Sequence, residues 1–199
     1  NKNFNFRLAE EIVISTEDDL QDIFYSRSHQ IYKKLNNILK IFKDEKVSTN
    51  HFNLATGSGY GDISRGKIDD IFAKFFVAEK SAVRMQFVSG THAISSVLFG
   101  ILRPGDLMLS VTGSPYDTLE EVIGLRGEGK GSLLDLGVQY KQMCFDEEKN
   151  FFEDKLTDFF KKNKCKLVFI QKSCGYTWRK SLSNNEIKKI CNLVHSLNP

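Results

Sequence analysis

Ser89, Gly90 and Thr91 are the residues of this chain whose types and spacing best suit chemistry. They stand between an apolar, strand-like run at 82–87 and a helix-like run at 93–102. A helix start presents unpaired backbone N–H groups at the positive end of its dipole, and here two hydroxyls lie beside them. That combination cradles an anion, phosphate above all. Gly90 allows the backbone to approach such a group closely. Ser and Thr are also ordinary N-caps and Gly an ordinary turn residue, so the segment taken alone reads first as a cap.

The neighbouring motifs change that balance. Ahead of the cradle come Gly57-Ser58-Gly59-Tyr60-Gly61-Asp62 and Arg65-Gly66-Lys67. After it come Arg103-Pro104-Gly105-Asp106, Gly113-Ser114-Pro115-Tyr116-Asp117 and Arg126-Gly127-Glu128-Gly129-Lys130-Gly131. Gln171-Lys172-Ser173-Cys174-Gly175-Tyr176 follows, with Trp178-Arg179 just beyond. In this order the motifs resemble the methionine gamma-lyase-like, or aluminium-resistance, family. Its members are pyridoxal-phosphate (PLP) proteins of the aspartate-aminotransferase fold (PLP fold type I), related to cystathionine beta- and gamma-lyases. The resemblance runs from about Leu8 to Pro199.

The resemblance implies a PLP-dependent carbon–sulfur lyase acting on amino acids such as cystathionine, cysteine or methionine, by beta- or gamma-elimination. It also implies a cytoplasmic homodimer or homotetramer. In such a protein Ser89, Gly90 and Thr91 hold the cofactor phosphate. Tyr116, in a turn after Pro115, is the expected ring stacker, although an aromatic there also staples a helix start. Tyr60 and Arg65 match the segment that reaches across a subunit interface toward the phosphate, for which a guanidinium fork is well suited. The spacing between them is longer than the Tyr-x-Arg of lyase relatives, and a surface salt bridge to Asp62 or Asp69 is the plainer reading of Arg65. Ser173 lies where related folds touch the ring hydroxyl. Lys172 and Cys174 replace two arginines of the family pattern, which leaves Arg179 as a candidate substrate clamp. The family's Schiff-base lysine and pyridinium aspartate are expected beyond Pro199. The chain is therefore expected to be the N-terminal portion of a longer protein, cut at both ends and inert alone.

Two other readings stay open. One is a PLP-fold protein with another amino-acid activity or no catalysis, since fold does not fix function. The other is a nucleotide-binding P-loop at 124–131, opposed by Gly131 where the motif needs Ser or Thr and by a helix-like run before it. Lys+Arg 28 against Asp+Glu 25 leaves a net charge of +3, too small to imply a nucleic-acid partner. His29, His51, His92 and His195 show no metal-ligand spacing, and no metal is expected. His92, beside the cradle, reads as solvent-facing or as a support behind the residues that touch the anion. The four cysteines form no C-x-x-C pair and read as free buried thiols. No apolar run suits a membrane span or a signal peptide.

The elements that must position these residues follow from periodicity. Ser15 to Asp19 reads as the start of a first helix, with Leu20, Ile23, Phe24, Ile31, Leu35, Ile38, Leu39 and Phe42 on one buried stripe. A Gly/Ser-rich loop at 47–66 and a helix from about Lys67 complete the N-terminal part. Helices at 93–102, 117–123, 151–162 and 187–197 then alternate with strand-like runs at 82–87, 107–111, 138–143 and 167–171. Such alternation predicts an α/β fold, a mainly parallel sheet with helices on both faces. Residues 1–66 read as an N-terminal helix and interface loop, and 67–199 as part of a PLP-binding large domain. Ligands of such sheets gather at the carboxyl ends of the strands, where the Ser89, Tyr116 and Ser173 loops are expected to converge.

Overall fold

The computed structural model describes residues 5–55, 61–144 and 151–197. The chain forms two compact units, Asn1–Met85 and Gln86–Pro199. The boundary expected after Gly66 therefore falls inside a helix of the first unit.

That unit is built on α1 (Phe6–Asp44) and α2 (Ile63–Phe76), with a short 3-10 helix, Thr49–Phe52, between them. α1 starts nine residues before the Ser15 expected from sequence, because Asn5 caps it by accepting from the Leu8 N–H at 3.2 Å. Thr16 is absorbed mid-helix by donating its hydroxyl to the Ile12 carbonyl at 2.7 Å. α2 likewise starts before Lys67, where the Asp62 carboxylate accepts from the N–H groups of Ser64 and Arg65, both at 3.1 Å.

The apolar stripe expected to be buried on α1 is largely exposed. Ile41 alone is buried on this helix among the described residues, while Phe24, Ile31, Leu35 and Leu39 face outward. The reason is length. α1 has 39 residues and α2 only 14, so about 58 Å of helix meets about 21 Å. Ile38, Ile41 and Phe42 are what α2 reaches, through Ile68, Ile71 and Phe75.

The strand expected at 82–87 does not form. A strand needs a ladder partner for its backbone, and Asp69 takes that place. Its carboxylate accepts from the Val83 N–H at 2.8 Å and from both Arg84 guanidinium nitrogens at 2.7 Å. The guanidinium holds the Asp69 carboxyl below its usual range.

The second unit contains a parallel three-stranded sheet in the order β2-β1-β3: β1 (Leu107–Ser110), β2 (Gln139–Gln142) and β3 (Leu167–Phe169). Met108 sits opposite Tyr140 on one side and Leu167 on the other. Among the described residues four helices accompany it: α3 (Gly90–Ile101), α4 (Asp117–Ile123), α5 (Phe151–Lys162) and α6 (Asn184–Leu197). The capping box expected at α6 is present, with Ser183 and Glu186 exchanging hydrogen bonds.

All four residues of β1 are buried, as a central strand covered on both faces requires. Leu109 and Val111 join Phe152 and Leu156 of α5 and Ile190 and Val194 of α6. Met108 joins Leu98 of α3 and Ile123 of α4. Side chains alternate along a strand, so α5 and α6 cover one face of the sheet and α3 and α4 the other. The unit is α/β, with a small parallel sheet between helices.

Candidate functional site

The carboxyl ends of β1 and β3 carry the residues of interest. Past β1 the chain turns at Gly113, whose φ of 81° suits glycine. Ser110 donates its hydroxyl to the Gly113 carbonyl at 2.6 Å, and the Gly113 N–H reaches the Met143 carbonyl beyond β2 at 2.8 Å. This turn delivers Tyr116 to the start of α4.

Past β3 stands Gln171, a residue to which the sequence reading assigns no role. Its N–H donates to Thr112 Oγ1 at 3.0 Å, tying the two strand ends together. Its side-chain oxygen accepts from the Tyr116 N–H at 2.8 Å, and its amide nitrogen donates to the Ser173 carbonyl at 3.2 Å. Gln171 thus joins two expected cofactor contacts, Tyr116 and Ser173.

Tyr116 has an aromatic neighbour that the sequence does not announce. The Tyr176 ring stacks on it, with centroids 5.6 Å apart and planes 27° apart. The Tyr116 hydroxyl donates to that of Tyr176 at 3.2 Å, and this bond holds the Tyr116 phenol above its usual pKa. Gly175, at φ 57°, lets its backbone pass the Tyr116 ring; a Cβ there would sit 3.4 Å from Cδ2. Deeper in the sheet, burial pushes the Tyr140 phenol up to about 12.

The cradle opens α3, three residues ahead of the expected start at Ala93. Ser89 is the N-cap: its Oγ accepts from the His92 N–H at 3.0 Å, which leaves its own proton to donate. The first rung of the helix runs from the Ala93 N–H to the Ser89 carbonyl at 3.1 Å. The N–H groups of Gly90 and Thr91 precede that rung and lie outside the helical ladder. A Cβ on Gly90 would meet nothing within 4 Å, so the space beside this residue is open. Thr91 Oγ1 is 2.8 Å from Thr118 Oγ1 on α4, which links the cradle to the Tyr116 turn. His92 is exposed; its Nδ1 lies 3.4 Å from the Val88 N–H, and its ring meets Phe87 edge-on.

Ser89, Gly90, Thr91, Tyr116 and Ser173 therefore belong to one hydrogen-bonded region, with Thr118, Gln171 and Tyr176 added. Arg179 is placed differently from a free clamp. Its guanidinium is spent on backbone carbonyls: Gln171 at 3.0 Å, Ser173, and Lys180 at 3.1 Å. Lys172 donates to Asn184 at 2.8 Å, and Lys130 pairs with Glu128 at 3.2 Å. Tyr60 lies outside the described residues. Arg65 belongs to the first unit, where it lines a cavity of about 540 Å3 with His51, Asp62 and Ser64.

The glycine-rich loop at 124–131 follows α4 rather than a strand, so it lacks the setting of a P-loop. It is pinned in place: the Gly131 N–H donates to Asp135 at 2.8 Å, and Ser132 fills the space a Cβ on Gly124 would need. Among the described residues no three His, Cys, Asp or Glu side chains group to hold a metal ion, and no helix is long and apolar enough to cross a membrane. Of the four free cysteines only Cys165 is buried, which corrects the expectation that all are; burial pushes its thiol up.

The chain as a whole is similar to known proteins. Residues 9–199 match the family described as methionine gamma-lyase. A carbon–sulfur lyase involved in aluminium resistance from Clostridium novyi NT shares 37% identity and a TM-score of 0.88, over 97% of this chain and 46% of its own. A protein of Clostridium acetobutylicum, proposed as a cystathionine beta-lyase involved in aluminium resistance, shares 39% identity and a TM-score of 0.86, over 98% of this chain and 47% of its own. The uncharacterized protein YnbB of Bacillus subtilis (strain 168) is 43% identical over 81% of this chain and 38% of its own length. The chain thus spans less than half the length of these relatives. On these matches, the chain belongs to the methionine gamma-lyase family.

Proposed function

We propose that this chain contributes the phosphate cradle and ring platform of a PLP site in a carbon–sulfur lyase acting on sulfur-containing amino acids. The single observation that carries this reading is the opening of α3. Two N–H groups outside the helical ladder stand beside the Ser89 hydroxyl, the space at the Gly90 Cβ position is open, and Thr118 joins Thr91 to the Tyr116 turn. That donor set fits a phosphate dianion, and the fit rests on these residues rather than on family membership alone. The parallel sheet with helices on both faces supports the aspartate-aminotransferase-like fold for this unit.

When bound, PLP supplies an electron sink for carbanion chemistry. The chain's own residues do the holding. Gly90 and Thr91 would donate backbone N–H groups to the phosphate, and Ser89 would donate its hydroxyl. Tyr116 offers an aromatic face, kept in place by Tyr176 and by the Gln171 side chain. Ser173, tied to Gln171 through its carbonyl, would meet the cofactor's ring hydroxyl. Arg179 holds the carbonyls of this loop, so we assign it to positioning rather than to the substrate carboxylate. Arg65, with Tyr60, is proposed to serve the phosphate across a subunit interface of a cytoplasmic homo-oligomer.

The test is PLP titration of the full chain and of Gly90→Val, followed by cofactor fluorescence with inorganic phosphate as competitor. The valine side chain fills the open space, so binding and phosphate competition should both be lost while the circular dichroism is retained. A folded Gly90→Val protein that binds PLP as tightly as the parent would refute the cradle.

A further inference from the structure

The glycine-rich loop after α4 lacks the setting of a P-loop, but it carries Arg126. The chain turns back at Gly124, φ 99°, and Gly127 and Gly129 also take positive φ, 78° and 71°. The loop is fixed at both ends. The N–H groups of Gly124 and Leu125 donate to the Glu120 carbonyl at 2.9 and 2.8 Å, and the Ser132 N–H donates to the Gly129 carbonyl at 3.1 Å. α4 has seven residues, about 10 Å of helix, so an extended arginine beyond its far end reaches back along it. Arg126 Nη1 stands 3.9 Å from Asp117 Oδ2. Asp117 lies between Tyr116, the ring platform, and Thr118, whose hydroxyl bonds Thr91 of the cradle.

This pair differs from the other charged groups around the platform. Arg179 is bound to backbone carbonyls, Lys172 to Asn184 and Lys130 to Glu128, and Glu120 accepts from Ser114. Arg126 and Asp117 are close enough to attract but too far apart to hydrogen-bond. Asp117 Oδ1 accepts from the Thr118 N–H at 2.8 Å, which fixes the carboxylate and leaves Oδ2 toward Arg126. Among the described residues the Arg126 guanidinium has no hydrogen-bond acceptor. The two side chains are 59% and 39% exposed, and an ion pair this open to water separates at little cost. Tyr176 is the main cause of the raised Tyr116 pKa, and the Asp117 charge adds to it, so this carboxylate acts at the platform's hydroxyl.

Two opposite charges beside an aromatic platform, not bonded to each other, complement a ligand that carries the same charges in reverse. In an α-amino-acid group the ammonium nitrogen and the carboxylate carbon are about 2.5 Å apart, so one such group spans the pair. Arg126 offers a forked donor to the carboxylate, and Asp117 an acceptor to the ammonium. We propose that Arg126 and Asp117 form a subsite for a zwitterionic amino-acid group and so select substrates whose side chain ends in one. The proposal rests on the PLP reading at one point: the reacting amino group of the substrate belongs at the cofactor, so the group held here is the distal one. Cystathionine has such an end, whereas methionine ends in a methyl thioether and cysteine in a thiol.

The experiment is calorimetric titration of the full chain, and of Arg126→Gln and Asp117→Asn, with two stable probes. These are the reduced phosphopyridoxyl conjugates of L-cystathionine and L-methionine, which share the phosphate and ring and differ in the distal end. The parent should bind the cystathionine conjugate at least about tenfold more tightly than the methionine conjugate, the scale of one charge-assisted contact. Each variant should lose that preference and keep the parent's affinity for the methionine conjugate, with far-UV circular dichroism unchanged. Equal affinity of the parent for both conjugates, or a preference that persists in both variants, would overturn the subsite and leave the cofactor reading standing. An Arg126→Gln chain that loses both conjugates equally would assign Arg126 to the phosphate and overturn it too. A parent that binds neither conjugate would refute the cofactor reading, and the subsite with it.

Discussion

Gln171 holds Tyr116 by a single bond, 2.8 Å from the tyrosine N–H to the glutamine Oε1, across 55 residues of sequence. Its amide nitrogen holds the Ser173 carbonyl at the same time. Removing the side chain should release both loops. Gln171→Ala is expected to cost about 1–3 kcal/mol of stability, for two hydrogen bonds lost at a half-buried position. It should also reduce the near-UV circular dichroism of the Tyr116–Tyr176 pair. Gln171→Glu retains the acceptor for Tyr116 but not the donor for Ser173, and should preserve most of the tyrosine signal. An unchanged spectrum in Gln171→Ala would show that the ring pair is held by other means.

Tyr116 is expected to bind the cofactor through its ring. Tyr116→Ala should weaken PLP binding by roughly tenfold, the scale of one lost aromatic contact, and Tyr116→Phe should change affinity little. Tyr176→Ala should fall between them, because it removes the ring that backs Tyr116 and leaves Tyr116 itself. Equal losses in Tyr116→Ala and Tyr116→Phe would assign the role to the hydroxyl.

Acid should weaken the first unit at a definite place. Glu45 pairs with Lys67 at 2.8 Å and with Lys74, and these partners lower its pKa from 4.5 to about 2. A folded-state pKa below the unfolded one means a contribution fully present above the unfolded value. It is lost as pH falls through the folded value. The melting-temperature difference between the parent and Glu45→Gln should therefore be largest above pH 4.5 and shrink to nothing toward pH 2. A difference that persists unchanged at pH 2 would mean that the two ammonium groups do not stabilise the charged form.

Lys130 and Lys172 are the loop lysines nearest the candidate site in sequence, and both are engaged elsewhere, with Glu128 and Asn184. Borohydride treatment of the 199-residue chain mixed with PLP should therefore leave no dominant adduct on either lysine by peptide mass analysis. A stoichiometric adduct on one of them, with turnover of cystathionine, would place the reacting amine within this chain.

The sequence by itself determined what depends on neighbouring residues. The caps at Ser89 and Ser183 are legible because a cap and its N–H partners lie within three residues, although α3 opens three residues before the expected Ala93. The α/β alternation is legible because period and turn chemistry are local, and the family is legible because its motifs stand in order. Tertiary structure decided what needs partners distant in the chain. Residues 82–87 have a strand's composition, but the backbone donor of Val83 goes to Asp69, and composition cannot say who accepts a hydrogen bond. The stripe on α1 has a core's periodicity, yet α2 is too short to bury it. Arg179 has a clamp's chemistry, but three carbonyls reach it first. Tyr176 and Gln171 join Tyr116 from 60 and 55 residues away. Their roles depend on β1 and β3 ending side by side, a register set by burial on both faces of the sheet rather than by any motif.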